Sequence, residues 1–154
     1  MDELASDIYF MKEALKEAKK AYKKGEVPVG AVVVVDGKII SKAYNKKESI
    51  NDPTAHAEIL AIRKACKALD NWRLTEATLY ITKEPCIMCC GAIINARLKR
   101  VVYGCDDPKG GGAVSLYSIL QDARLNHQVE IKNGILEKEC REILQKFFKE
   151  LRNQ

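Results

Sequence analysis

Val29-Gly30-Ala31-Val32-Val33-Val34-Val35-Asp36-Gly37-Lys38-Ile39-Ile40-Ser41-Lys42-Ala43 decides what kind of molecule this chain folds into. Residues 29–35 and 38–43 are β-rich, and the Asp-Gly link between them suits a tight turn, so the stretch predicts a hairpin. Upstream, Ile8, Met11, Leu15, Ala18 and Tyr22 recur at helical spacing over residues 5–24. Lysines and glutamates occupy the other face, and Gly25 is placed to end this helix. Downstream, a second helix is expected from about Pro53-Thr54-Ala55 to Leu69, with Thr54 as its N-cap. Residues 78–82 read as a strand, 86–96 as a short helix entered through Pro85, and 100–103 as another strand. Residues 106–112 (DDPKGGG) read as a loop. Residues 129–131 read as a last short strand, and 137–151 as a helix with Ile143, Leu144 and Phe147 in step. This alternation predicts an α/β fold, a sheet covered by helices, in a single domain over residues 1–154.

The bulk properties narrow the class. The apolar fraction of 47% and charged fraction of 31% fit an ordinary globule. No apolar run approaches the roughly 18–20 residues of a membrane span, so no membrane association is expected. The N-terminus has no basic segment leading into an apolar one, which makes the cytoplasm the expected location. The net charge of +5 suits an anionic partner without identifying it. Six cysteines occur, but nothing else suggests an oxidising compartment. Cys66, in step with Ile59, Ile62 and Leu69, is expected on a buried helical face. Cys105 and Cys140 are expected to pack as small hydrophobes.

Four residues carry the chemistry: His56 and Glu58 in H-A-E, and Cys86 and Cys89 in P-C-I-M-C. Zinc favours tetrahedral nitrogen and sulfur ligands, and a catalytic site keeps one of its four positions open. Cys86 and Cys89 share a helix face near a helix start, where the dipole favours thiolate. His56 comes from the start of the preceding helix. Glu58, two residues on, points elsewhere and is left to move protons. Two alternatives use the same residues. Cys90 lies four residues after Cys86 and closes a structural site of one histidine and three cysteines, or else packs beneath the site. A thiol redox pair of Cys86 and Cys89 leaves His56 and Glu58 unexplained.

H-x-E followed by P-C-x-x-C is the signature of the zinc nucleobase deaminases, so the chain resembles the cytidine deaminase-like superfamily. Further stretches resemble the bacterial tRNA-specific adenosine deaminase family: Asn71-Trp72-Arg73-Leu74, Gly91-Ala92-Ile93-Ile94, Arg100-Val101-Val102-Tyr103-Gly104, Asp106-Asp107-Pro108-Lys109-Gly110 and Phe147-Phe148-Lys149. Cys90 departs from the family, which often has a small residue there. The resemblance implies a three-layer α/β/α fold with a central mixed sheet of about five strands. It implies one zinc ion (Zn2+) per subunit on His56, Cys86 and Cys89, a homodimer, and a tRNA anticodon stem-loop as partner. The implied reaction is hydrolytic deamination of the wobble adenosine to inosine, with Glu58 as proton shuttle. It also implies that Asn45 hydrogen-bonds the target nucleoside, although a turn role suits it as well. Ala57 joins the substrate-binding set, and Asp107 and Lys109 meet the splayed anticodon. Lys47, Arg73 and Asn126 match positions near the RNA. On the last helix, Phe148, Lys149 and Arg152 offer stacking and phosphate contacts. Phe147 is expected in the core and Phe148 exposed. Two other functions remain open: a small-molecule nucleobase deaminase of guanine or cytosine type, and a non-catalytic zinc-stabilised RNA-binding module.

Overall fold

Asp36 and Gly37 carry φ angles of 51° and 73°, the pair of left-handed conformations that a two-residue hairpin turn requires. They fold strand β1 (Gly30–Val35) back onto β2 (Lys38–Tyr44). The register slips between Val33 and Val34, leaving Ile40 as a bulge. The computed structural model describes residues 2–154. The other edge of β1 pairs antiparallel with β3 (Thr78–Lys83). From there the sheet is parallel, through β4 (Arg100–Cys105) to the short β5 (Glu130–Lys132). The strand order is β2-β1-β3-β4-β5, a five-stranded mixed sheet.

Helix α1 (Glu3–Lys23) packs on β1 and β3, beside α4 (Glu137–Arg152) on the same face. The opposite face is covered by α2 (Ala57–Leu69), which packs on β2 and β1 and also meets α3 (Ile87–Asn95). The expected three-layer α/β/α arrangement is therefore present. A Cβ at Gly30 would stand 2.0 Å from the Ala14 carbonyl oxygen, so only glycine lets α1 lie this close to β1. Val32, Val33, Leu79, Ile81, Val101 and Val102 are fully buried between the layers, the continuous apolar strands of a sheet covered on both faces. Asp7 of α1 accepts two hydrogen bonds of 2.8 Å from Arg100 and one of 2.7 Å from the Tyr80 hydroxyl. This buried link fastens α1 to β3 and β4. No helix among the described residues is long and apolar enough to cross a membrane.

Two expectations about α2 need correcting. The helix starts at Ala57 with His56 as its N-cap residue, not near Thr54. The Thr54 amide and hydroxyl instead bond the Asp52 carboxylate at 2.8 and 2.7 Å, an Asx-type turn that competes with helix initiation. The buried stripe of α2 is Ala57, Glu58, Ala61, Ile62 and Ala65, and Leu69 is exposed. Cys66 is only half-buried, its thiol 3.6 Å from the Trp72 carbonyl. Small alanines win the inward face because the helix lies close to the hairpin. Cys105 and Cys140 are buried as expected. A 3-10 turn at Ile119–Gln121, not foreseen, has Leu120 buried.

Candidate metal centre and substrate cavity

The topology gathers chemistry at one edge of the sheet. β1 runs antiparallel to β2 and β3. The start of β1 therefore lies beside the ends of β2 and β3, and the end of β4 falls at the same edge. Helices α2 and α3 both begin there, with His56 and Cys86 as their N-cap residues. Neither side chain caps its helix, so both are left for other work.

His56 Nδ1 lies 3.6 Å from Cys86 Sγ and 3.5 Å from Cys89 Sγ, and the three ligand atoms fall within 4.8 Å of one another. Zinc–sulfur bonds of about 2.3 Å and zinc–nitrogen bonds of about 2.0–2.1 Å, set at the tetrahedral angle, give a nitrogen–sulfur edge of about 3.6 Å. The residues present thus fit one zinc ion. Hydrogen bonding from the Cys89 thiol pulls Cys86 down to about 4 against its burial, with help from His56. Cys89 is pushed up, chiefly because it holds the proton between the two sulfurs. The pair thus favours thiolate at Cys86, the form that coordination requires. Cys90 is fully buried, and its thiol points 3.6 Å from the Pro85 carbonyl oxygen. It stands outside the three-residue group, which does not favour a closed site of three thiolates.

Glu58, two residues after His56, is 4% exposed. Desolvation raises its carboxyl to about 7, against the opposing pull of a backbone hydrogen bond and His56. A carboxyl poised near neutrality exchanges protons readily in both directions. It lines a cavity of about 320 Å3 together with His56, Cys86, Ala57, Asn45 and Lys47. Lys83, Glu84, Asp107 and Phe148 also line it, and Val27 and Val29 add apolar surface. This is the volume of a small-ligand site.

The MafB19-like deaminase family matches residues 5–152. The chain is 53% identical to the tRNA-specific adenosine deaminase of Bacillus subtilis (strain 168), over 98% of this chain and 94% of that one. It is 52% identical to the protein of the same name from Aquifex aeolicus (strain VF5), over 94% and 95%. The chain belongs to the tRNA-specific adenosine deaminases. A solved structure described under A-to-I editing by tRNA:A34 deaminases at the wobble position of transfer RNA superimposes on this deaminase with a TM-score of 0.85. It is 46% identical, covering 88% of this chain and 99% of that one.

The residues expected at the site of this deaminase divide into two groups. Asn45, Lys47, Ala57, Asp107 and Phe148 meet at the cavity with the metal group and Glu58. The Asn45 side chain donates to the Val27 carbonyl at 3.3 Å and accepts from the Lys47 amide at 3.1 Å. It therefore shapes its own turn while keeping one donor and one acceptor site free. The remaining expected contacts do not line the cavity. Lys109 is exposed on the 106–112 loop, and its amide donates to Asp107. Arg73 is exposed after α2, stacked 4.9 Å from the Trp72 ring. Asn126 is exposed before β5, and Lys149 and Arg152 are exposed on α4. Phe148 is 38% exposed, and Phe147 is half-buried, set edge-on to it and to Tyr22. Sequence reasoning missed Val27, Val29, Lys83 and Glu84 as cavity residues. The available signal was position: each flanks a strand at the edge where parallel α/β sheets bind ligands.

Proposed function

We propose that the protein hydrolyses adenosine to inosine and ammonia at the wobble position of a tRNA anticodon, residues 1–154 acting as one deaminase domain. The observation that carries this reading is Glu58: a buried carboxyl raised by desolvation to about 7, beside a three-ligand group and lining a cavity of about 320 Å3. His56, Cys86 and Cys89 would hold zinc. Zinc, when bound, supplies the Lewis acidity that makes water nucleophilic at neutral pH. Glu58 takes a proton from the attacking water and returns it to the departing amine at C6 of the base. Asn45 orients the nucleoside through its free donor and acceptor sites. Ala57 and Val29 exclude water around the base. Lys47, Asp107 and Phe148, which also line the cavity, meet the neighbouring nucleotides, splayed and stacked around the target base. Lys109, Arg73, Asn126, Lys149 and Arg152 contact the anticodon arm beyond it.

The names of the relatives support a tRNA substrate over a free base. A homodimer belongs to the same proposal. Ile87, Val114, Leu116 and Tyr117 are each more than half exposed around the start of α3 and the loop after β4, apolar surface that a second copy would cover. The expected location is the cytoplasm. The test is incubation with guanine, cytidine and a tRNA bearing an unpaired anticodon adenosine. Inosine in the tRNA alone is the expected result, and ammonia from a free base with none from the RNA would contradict it.

A further inference from the structure

Two carboxylates are buried at or near the substrate cavity without joining the metal group: Glu84 lines it, and Glu26 holds a loop that does. Glu26 is 1% exposed and Glu84 is 2% exposed. Glu26, between α1 and β1, accepts from the backbone amides of Glu48 at 3.0 Å and Ser49 at 2.5 Å, and from the Ser49 hydroxyl. Glu84, just past β3, accepts from the amides of Asp107 at 3.0 Å, Val114 at 2.8 Å and Ser115 at 2.9 Å. It also accepts from the Ser115 hydroxyl at 2.5 Å. An ionised carboxylate offers about four acceptor sites, so these four donors leave Glu84 nothing with which to bind substrate. Each glutamate instead ties the frame of the sheet to one irregular loop. The first loop carries Asn45 and Lys47, and the second carries Asp107 and Lys109. The second loop is moulded on its carboxylate: a Cβ at Gly111 would stand 2.3 Å from Glu84 Cδ.

We propose that Glu26 and Glu84 are positioning residues for the nucleotide substrate. They fix the two loops that grip it, and they serve neither metal binding nor proton transfer. This rests on reading the cavity as a nucleoside site. Buried charge-assisted hydrogen bonds from rigid elements are the economical way to hold loops that have no helix or strand of their own.

The test uses the zinc-loaded enzyme and an RNA stem-loop bearing an anticodon adenosine. Glu26→Gln and Glu84→Gln keep the side chain's size but turn an amide toward N–H donors. KM rises about tenfold while kcat stays within about threefold of wild type, and zinc per chain is unchanged. Amide exchange accelerates at Glu48 and Ser49 in the first variant only, and at Asp107, Val114 and Ser115 in the second only. Ser49→Ala and Ser115→Ala each lose one donor in an exposed loop, so they fold even where the glutamine variants do not. Their KM rises by a smaller factor. Wild-type KM in active variants overturns the proposal, as does a loss confined to kcat and zinc content. A wild-type enzyme that forms no inosine is a different failure, because it removes the reading of the cavity as well.

Discussion

Glu58 and Glu84 are glutamates buried alike and lining one cavity, and their carboxyls are shifted in opposite directions. Burial pushes both carboxyls up. Glu84 also accepts three backbone amides and the Ser115 hydroxyl, and so falls below its ordinary value. Glu58 lacks such a set and settles at about 7. One holds structure as a fixed anion while the other is free to titrate. Glu58→Gln should therefore fold and bind zinc yet lose activity by about a thousandfold, the range of general acid–base catalysis, as checked by ammonia release. Asn45→Ala should lower activity more than thermal stability, and unchanged turnover would remove Asn45 from substrate binding. The metal group was legible in the sequence because its ligands sit at fixed spacing on two helix starts. Glu26 and Glu84 were not, because a glutamate in a loop reads as solvated until the fold shows what encloses it.

At the scale of elements, the Asp7 link decides how α1 is seated. Burial pushes the Asp7 carboxyl up, and the Arg100 guanidinium and Tyr80 hydroxyl together pull it below its ordinary value of 3.8. With the folded value depressed, the link stabilises fully above pH 3.8 and loses this contribution as the pH falls through the lower folded value. Asp7→Ala strips the Arg100 guanidinium of its buried partner, leaving only the exposed carboxylates of Glu3 at 2.7 Å and Glu130 at 3.8 Å, and should cost about 3 kcal/mol, read as a lower melting temperature at pH 7. Its stability should also vary less with pH below about 4 than that of wild type; an unchanged acid limb would contradict this account. The hairpin was legible because Asp36-Gly37 stands between two β-branched runs. The inward face of α2 was not, because Ala57, Ala61 and Ala65 are chosen by close approach to the hairpin rather than by hydrophobicity. The strand order was also out of reach, since pairing β1 with β3 is a long-range contact with no local mark.

Across the whole molecule, antiparallel β1 against parallel β3 and β4 brings four strand ends and two helix starts to a single edge, so no ligand depends on one loop alone. Zinc would bind only this assembled group. Chelation should therefore lower thermal stability, by about 2.7 kcal/mol relative to enzyme with free zinc at 100 times its Kd. His56→Ala and Cys86→Ala should fail to retain the metal. With a net charge of +5, binding to an anticodon arm should weaken as salt rises, by a log–log slope of about −0.7 per single-stranded phosphate contacted. A salt-independent affinity would speak against the RNA partner. The most direct test of the central claim is inosine at the wobble position of a tRNA transcript, measured for wild type and Glu58→Gln on samples whose zinc content is also determined. Inosine formed by wild type alone, with equal zinc in both, is the predicted result. Equal inosine in both, or zinc lost with Glu58, would contradict a proton-shuttling carboxyl outside the ligand set.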